Sequence, residues 1–393
     1  MKRLFALFAA SLALATSAAG AAFAQAEIVR EAMQATLDRL VEENDFPGIQ
    51  AAALLPDGTL VEAAAGLADR ESGRAMTSDL RLASGSIGKT YVAAAVLAHV
   101  AEGALDLDAR VVAYIGDEDW FQGFPNGEIM TLGQLLNHSS GIGEDYLTRP
   151  EVLEPFTQTF GDGPDLADLG VSHEDLVRSL AGQPPQFAPG GGFGYSDAAY
   201  AVAALIAEKV DGRTIEAQIS ERFLDPLGLS HTQAFEREMD NFVSAYAPAP
   251  IAEAFGGVPL KSVVDGDFQF DPRFEWGGGG YVANAGDLAR WARAWFGGRA
   301  VDADYVELFE EWANPTGVPQ LGDAYAIGVQ IERDSAYGRR LFHGGYQLGF
   351  IAQMEYLPDH DIASAIMINT VDGGYIAYHD AVRDAVMAAL GLD

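Results

Sequence analysis

The sequence predicts an α+β fold in which both chain ends build one sheet around an inserted, mostly helical region. Three observations carry this. Strand patterns cluster at the two ends, helix patterns and long loops fill roughly residues 105–270, and no internal repeat or low-complexity linker divides the 393 residues.

The elements follow in chain order. Residues 27–43 carry Ile28, Met33, Leu37, Leu40 and Val41 at helical spacing. The stretch GIQAAALLPDGTLVEAAAG then reads as two short strands joined by a hairpin turn at Pro56-Asp57-Gly58. IGKTYVAAAVLAHVAEG, after Ser86, predicts a long apolar helix closed by Gly103. TLGQLLNHSSGIG follows in the helix-and-loop middle of the chain. AAYAVAALIAEKVDG predicts a further helix with Asp197 as its N-cap. Glu144 to Asp165, acidic and punctuated by Pro and Gly, reads as a surface lid or loop. Four strands are expected near the end, in AYAIGVQIE, RRLFHGG, FIAQMEYLP and IASAIMINT, with Pro358-Asp359 in one turn. A final helix, YIAYHDAVRDAVMAAL, follows.

The first residues predict export. Met1-Lys2-Arg3 is a basic start, Leu4 to Ala15 is an apolar run too short for a permanent span, and Ala22-Phe23-Ala24 supplies a small-x-small cleavage pattern. A signal peptide over 1–24 leaves a domain over 25–393 that starts at Gln25 and is periplasmic or secreted, without stable membrane insertion. There is no cysteine, so disulfides and thiolate chemistry are excluded. The seven histidines show no pair at metal-ligand spacing, so neither a metal nor another cofactor is expected. The formal charge of −33 argues against nucleic acid or an anionic membrane as partner. The expected partner is a small-molecule or peptide substrate. Composition and pattern say nothing of oligomeric state.

The stretch Ala83 to Thr90, ASGSIGKT, supports two chemistries. As a loosened phosphate loop it would cradle a nucleotide, but the residues before it are too polar for a buried strand and its first position is Ala83 rather than Gly. As Ser-x-x-Lys it sets Ser86 at a helix start with Lys89 one turn on and on the same face. A buried amine loses its proton more easily, so a neutral Lys89 would take the Ser86 proton and activate the oxygen.

Two further pieces lie downstream. In PGGGFGYSDAAY, Tyr195 follows a glycine-rich turn and precedes a helix; a phenol near an ammonium can pass protons between nucleophile and leaving group. His343-Gly344-Gly345 ends a predicted strand, where glycines let a strand edge lie close to a ligand. Taken singly, each has a structural explanation as good as the functional one.

Together these pieces resemble the serine β-lactamase and penicillin-binding-protein family, and within it the class C-like branch of β-lactamases, D-Ala-D-Ala carboxypeptidases, D-aminopeptidases and esterases. The features fall in the family's order: Ser86-Ile87-Gly88-Lys89, LLNHSSGI (Leu135 to Ile142), Tyr195-Ser196-Asp197, GGGGYVANAGDLARW (Gly277 to Trp291) and HGGYQLGF (His343 to Phe350). The resemblance implies an antiparallel sheet flanked by helices beside a helical subdomain, with the site in the cleft between them. It implies Ser86 as nucleophile, Lys89 and Tyr195 sharing the acid and base work, and the backbone N–H groups of Ser86 and Tyr346 as oxyanion hole. Asp197, His343, Gly344 and Gly345 would bind substrate.

Two departures bear on substrate. The family's second motif usually ends in Asn; Asp197 would hold Lys89 charged unless it turned away as a helix cap, and it offers a partner for a substrate amine. The third motif often carries a hydroxyl where Gly344 stands, and that hydroxyl helps hold a substrate carboxylate. The expectation is therefore an exported, cofactor-free serine hydrolase cleaving ester or amide bonds, esterase or D-peptidase-like, through an acyl-Ser86 intermediate. A β-lactamase or D-Ala-D-Ala carboxypeptidase is the alternative within the fold, and a penicillin-binding sensor without turnover is the alternative outside catalysis.

Overall fold

The computed structural model describes residues 2–44, 46–143, 149–254, 256–301, 304–371 and 374–392. A long helix, α1 (Lys2–Asn44), leads into β1 (Gly48–Leu54), β2 (Leu60–Asp69) and β3 (Arg74–Ala75). The middle of the chain supplies α2 (Gly88–Ala101), α3 (Leu132–Leu136), α4 (Pro150–Gln158), α5 (Asp197–Asp211), α6 (Trp276–Gly279) and α7 (Ala285–Phe296). Then come β4 (Asn314–Pro315), β5 (Ala324–Tyr325), β6 (Gln330–Ser335), β7 (Gly338–Gln347), β8 (Phe350–Leu357), β9 (Ile362–Ile368) and the closing helix α8 (Tyr375–Ala389).

Among the described residues the main sheet has nine strands in the order β4-β5-β6-β7-β8-β9-β1-β2-β3, each antiparallel to its neighbours. The two chain ends meet at its centre, where β1 pairs β9 from Ile49↔Ile368 to Leu54↔Ala363. Period-two alternation divides β1 between two cores. Ile49, Ala51 and Ala53 pack under α1 and α8, against Val29, Met33, Leu37, Val382 and Val386. Ala52 and Leu54 face the second core, which contains Leu288, Trp291 and Trp295 of α7. Each large apolar side chain so buried is worth about 1.5–3 kcal/mol.

The second core continues through α2, whose residues from Gly88 to His99 are all buried, the mark of a helix enclosed on every side. α5 packs beside it, starting at an N-cap and ending at Gly212 in the left-handed region (φ 79°). α2, α5 and α6 converge, and the end of β7 meets the turn that begins α2.

Four expectations are corrected. The N-cap of α5 is Ser196, whose Oγ accepts the Ala199 N–H at 3.1 Å, so Asp197 is the first helical residue and its carboxylate is free for another task. Within the acidic stretch, residues 144–148 lie outside the described residues, and α4 is an amphipathic helix that buries Val152 and Phe156, the latter against Phe270 and Phe274. AYAIGVQIE is two strands, broken at Gly328 (φ 60°). The helical middle also holds a small sheet of Ala245–Tyr246, Lys261–Val264 and Asp267–Phe268.

Candidate active site

Ser86 lies in a 3-10 turn, Gly85–Ile87, between a two-residue strand (Leu82–Ala83) and α2. Backbone contacts too close for any side chain hold this turn. A Cβ on Gly345 would stand 1.8 Å from the Ser84 carbonyl oxygen, and one on Gly85 would stand 2.5 Å from both N and O of Tyr346. The end of β7 is therefore pressed against the Ser86 turn, which brings the Tyr346 peptide beside Ser86 as an oxyanion hole requires. From the opposite side, a Cβ on Gly279 of α6 would meet the Gly85 carbonyl group at 2.8 Å.

Lys89 is fully enclosed, and three oxygens surround its ammonium. Nζ lies 3.0 Å from Ser86 Oγ, donates to the Gly278 carbonyl, and pairs with Oδ1 of Asp197. Burial pushes its pKa down, but the Asp197 carboxylate and the Tyr195 oxygen outweigh burial and leave it above the ordinary lysine value. The resting lysine is charged, which corrects the expectation of a neutral base. Asp197 is the reason, since Ser196 does the capping.

Tyr195 lines the same cavity as Ser86, and its ring centroid is 5.0 Å from Lys89 Nζ. Enclosure raises its pKa, while the charge on Lys89 opposes the rise. Behind it stands His138, with its ring centroid 4.3 Å from that of Tyr195 and an uncommon φ of 58°. His138 Nδ1 accepts the Ser196 N–H at 3.2 Å, so the neutral ring carries its proton on Nε2. Burial, then the charge on Lys89, holds this imidazole far below the ordinary histidine pKa. LLNHSSGI marked this position in the sequence without indicating that its histidine supports Tyr195.

His343 does not face the site. Its ring is buried, Nδ1 lies 2.6 Å from the carbonyl oxygen of Gly344, and Nε2 accepts from the Tyr325 hydroxyl at 2.8 Å. Burial lowers its pKa to about 3. Its expected part in substrate binding is thus corrected to support of the layer behind Tyr195, because the β7 alternation turns residue 343 away from residues 344 and 346. Gly344, Gly345 and Tyr346 do line a cavity of about 430 Å³, together with Ser86 and Tyr195. Asp197 is not among the residues that line it, and its carboxylate pairs with Lys89.

A pattern describing the β-lactamase family matches residues 33–387. The chain belongs to the β-lactamase family. Its relatives in this family of serine hydrolases include the esterase EstB of Burkholderia gladioli, 30% identical over 380 residues that span 91% of this chain and 94% of that protein. A D-aminopeptidase of Brucella anthropi is 25% identical over 82% of this chain, and the match spans only 56% of the aminopeptidase. The D-amino acid amidase of Ochrobactrum anthropi SV3, solved with L-phenylalanine amide, superposes with a TM-score of 0.75 over 92% of this chain and 98% of that one. At 22% identity this shows that the β-lactamase family fold is shared.

Proposed function

We propose that the protein hydrolyses esters, and more slowly amides, through an acyl-Ser86 intermediate. The contact between Ser86 Oγ and Lys89 Nζ, at 3.0 Å on the wall of a cavity shared with Tyr195, carries this reading. The near full-length match to an esterase supports the ester preference.

The active form is the Lys89–Tyr195 pair after it has lost one proton, so that the pair accepts the Ser86 proton as Oγ bonds to the substrate carbonyl carbon. The carbonyl electron pair moves to oxygen, facing the N–H groups of Ser86 and Tyr346. The bond to the leaving oxygen then breaks, and that oxygen takes the proton back from the pair. Water repeats the sequence on the acyl group: its proton goes to the pair, the bond to Ser86 Oγ breaks, and Ser86 regains the proton. The products are a carboxylic acid and an alcohol.

Intact-mass labelling with a fluorophosphonate and with a penicillin, on the native protein and on Ser86→Ala, tests the nucleophile. A label that persists in Ser86→Ala overturns it. Labelling by the phosphonate alone favours an esterase or peptidase over a β-lactamase or carboxypeptidase. The Lys89–Asp197 pair, which keeps a proton on the base, favours a second reading, a sensor that acylates without turnover. Sustained release of nitrophenol from an activated ester eliminates it.

Export is part of the proposal. The basic start and Ala22-Phe23-Ala24 support it, and the Gln25 side chain already binds the body of the protein, donating to the Ala389 carbonyl at 2.8 Å. N-terminal sequencing of the protein outside the cytoplasm should begin at Gln25; protein recovered only inside the cell with residues 2–24 intact refutes it.

A further inference from the structure

Gly344 and Gly345 are glycines for different reasons. Gly345 cannot carry a side chain because the Ser84 carbonyl occupies its Cβ position. At Gly344 a Cβ would meet nothing within 4 Å, and the residue is not in the left-handed region. The fold does not require a glycine there. What the missing side chain leaves is space, and that space belongs to the Ser86 cavity.

The β7–β8 register shows where the space leads. Gly344 stands opposite Gln353, and Tyr346 opposite Ile351, with Phe342 two residues along the same face. These five residues line the cavity, as do Val371 and, at the start of α8, Tyr375. None of its lining residues among those described is charged. The nearby cations are committed, Arg340 to Glu332 and Glu355 and the enclosed Lys89 to Asp197. A carboxylate entering here would lose its water without gaining an ion partner, a cost that an uncharged group avoids.

We propose that Gly344 is a specificity-determining gap that opens a subsite, bounded by Phe342, Gln353 and Tyr375, for the bulky uncharged alcohol portion of an ester. The inference rests on the hydrolase reading above. The alcohol side is assigned because Tyr195, placed to return the proton to the leaving oxygen, lines this same cavity. The volume, about 430 Å³, lies in the range of small-molecule sites and accommodates an aromatic or branched alcohol.

The experiment compares the wild type with Gly344→Ala and Gly344→Thr on two substrate series. Acetate esters of ethanol, cyclohexanol and 2-phenylethanol vary the alcohol, and nitrophenyl esters of acetic to octanoic acid vary the acyl group. Gly344→Thr should lower kcat/KM for the bulky acetates relative to ethyl acetate by about tenfold or more, with Gly344→Ala intermediate. Along the acyl series the loss should be one constant factor, since the leaving group never changes. A penalty that grows with acyl length, or an unaltered ratio of bulky to ethyl ester, overturns the subsite. A wild-type circular-dichroism spectrum and thermal midpoint confirm that each variant is folded. If wild-type turnover survives Ser86→Ala, the hydrolase reading fails instead, and the two failures are separable.

Discussion

Asp197 forms an ion pair with Lys89, and the Ser86 hydroxyl lies 3.0 Å from the same Lys89 nitrogen. The lysine is fully buried, whereas the Asp197 side chain is one-third exposed. The nucleophile therefore rests on a cation that its own neighbour stabilises, and hydrolysis must begin from the fraction of molecules in which the Lys89–Tyr195 pair has given up a proton. Because the two groups interact, the pH dependence belongs to the pair and not to either residue.

Replacing Asp197 by Asn removes the carboxylate that raises the Lys89 pKa and leaves burial, which lowers it. The deprotonated pair is then populated at lower pH, so the rising limb of kcat/KM against pH should move toward acid by about one to three units. A pH-rate profile between pH 5 and 10 reads this directly. An unmoved limb means that the pair does not govern the rate.

Tyr195→Phe keeps the ring that packs against His138 and removes the oxygen. Turnover of a nitrophenyl ester should fall by about 10²–10⁴-fold, with little change in thermal stability. Activity near the wild-type level would assign the whole proton transfer to Lys89.

Gly279→Ala tests the packing behind the nucleophile. The new Cβ would lie 2.8 Å from the Gly85 carbonyl carbon and oxygen and 3.1 Å from the Ser86 nitrogen, with no flexible side chain to yield. Displacing the turn by a few tenths of an ångström to one ångström should slow fluorophosphonate labelling and turnover together by up to about 100-fold. Alanine favours helix more than glycine does, so a loss here arises from the clash and not from helix propensity.

Stability should fall in mild acid before most carboxylates titrate. His138, His343 and His379 are buried and each has a pKa lowered chiefly by burial, that of His343 to about 3. Below about pH 6.5 the unfolded chain binds protons at these sites that the folded chain refuses. Their contribution is therefore complete above that pH and is lost progressively as pH falls toward the folded values, by up to about 1.4 kcal/mol per histidine per pH unit. Urea unfolding at pH 7, 6 and 5 measures it, and His343→Asn should flatten the slope.

Much of the fold follows from local pattern. The hairpin at Pro56-Asp57-Gly58, the apolar helix after Ser86 and the final helix all depend on neighbours in sequence, and periodicity reads such neighbours well. The parts that needed coordinates are those fixed by distant residues. Asp197 and Ser196 are both good caps, and only the backbone shows that Ser196 takes the role. The Gly278 carbonyl as a ligand of Lys89 joins residues 189 positions apart and leaves no mark in side-chain identity. His343 looked functional because it ends a strand beside two glycines, yet a one-residue alternation turns it to the opposite face. Four of the site's features, Ser86, Lys89, Tyr195 and the pair Gly344-Gly345, were visible as motifs; their division into nucleophile, charged support and open space was not.

The pairing of β1 with β9 also constrains how the molecule comes into being. β1 emerges first and its partner is more than 300 residues away, so the centre of the sheet stays an open edge until nearly the whole chain is available. An incomplete chain leaves β1 without its β9 partner and exposes an alanine-rich strand edge to aggregation. If the protein is exported as proposed above, that same delay keeps the polypeptide loose until β9 has crossed.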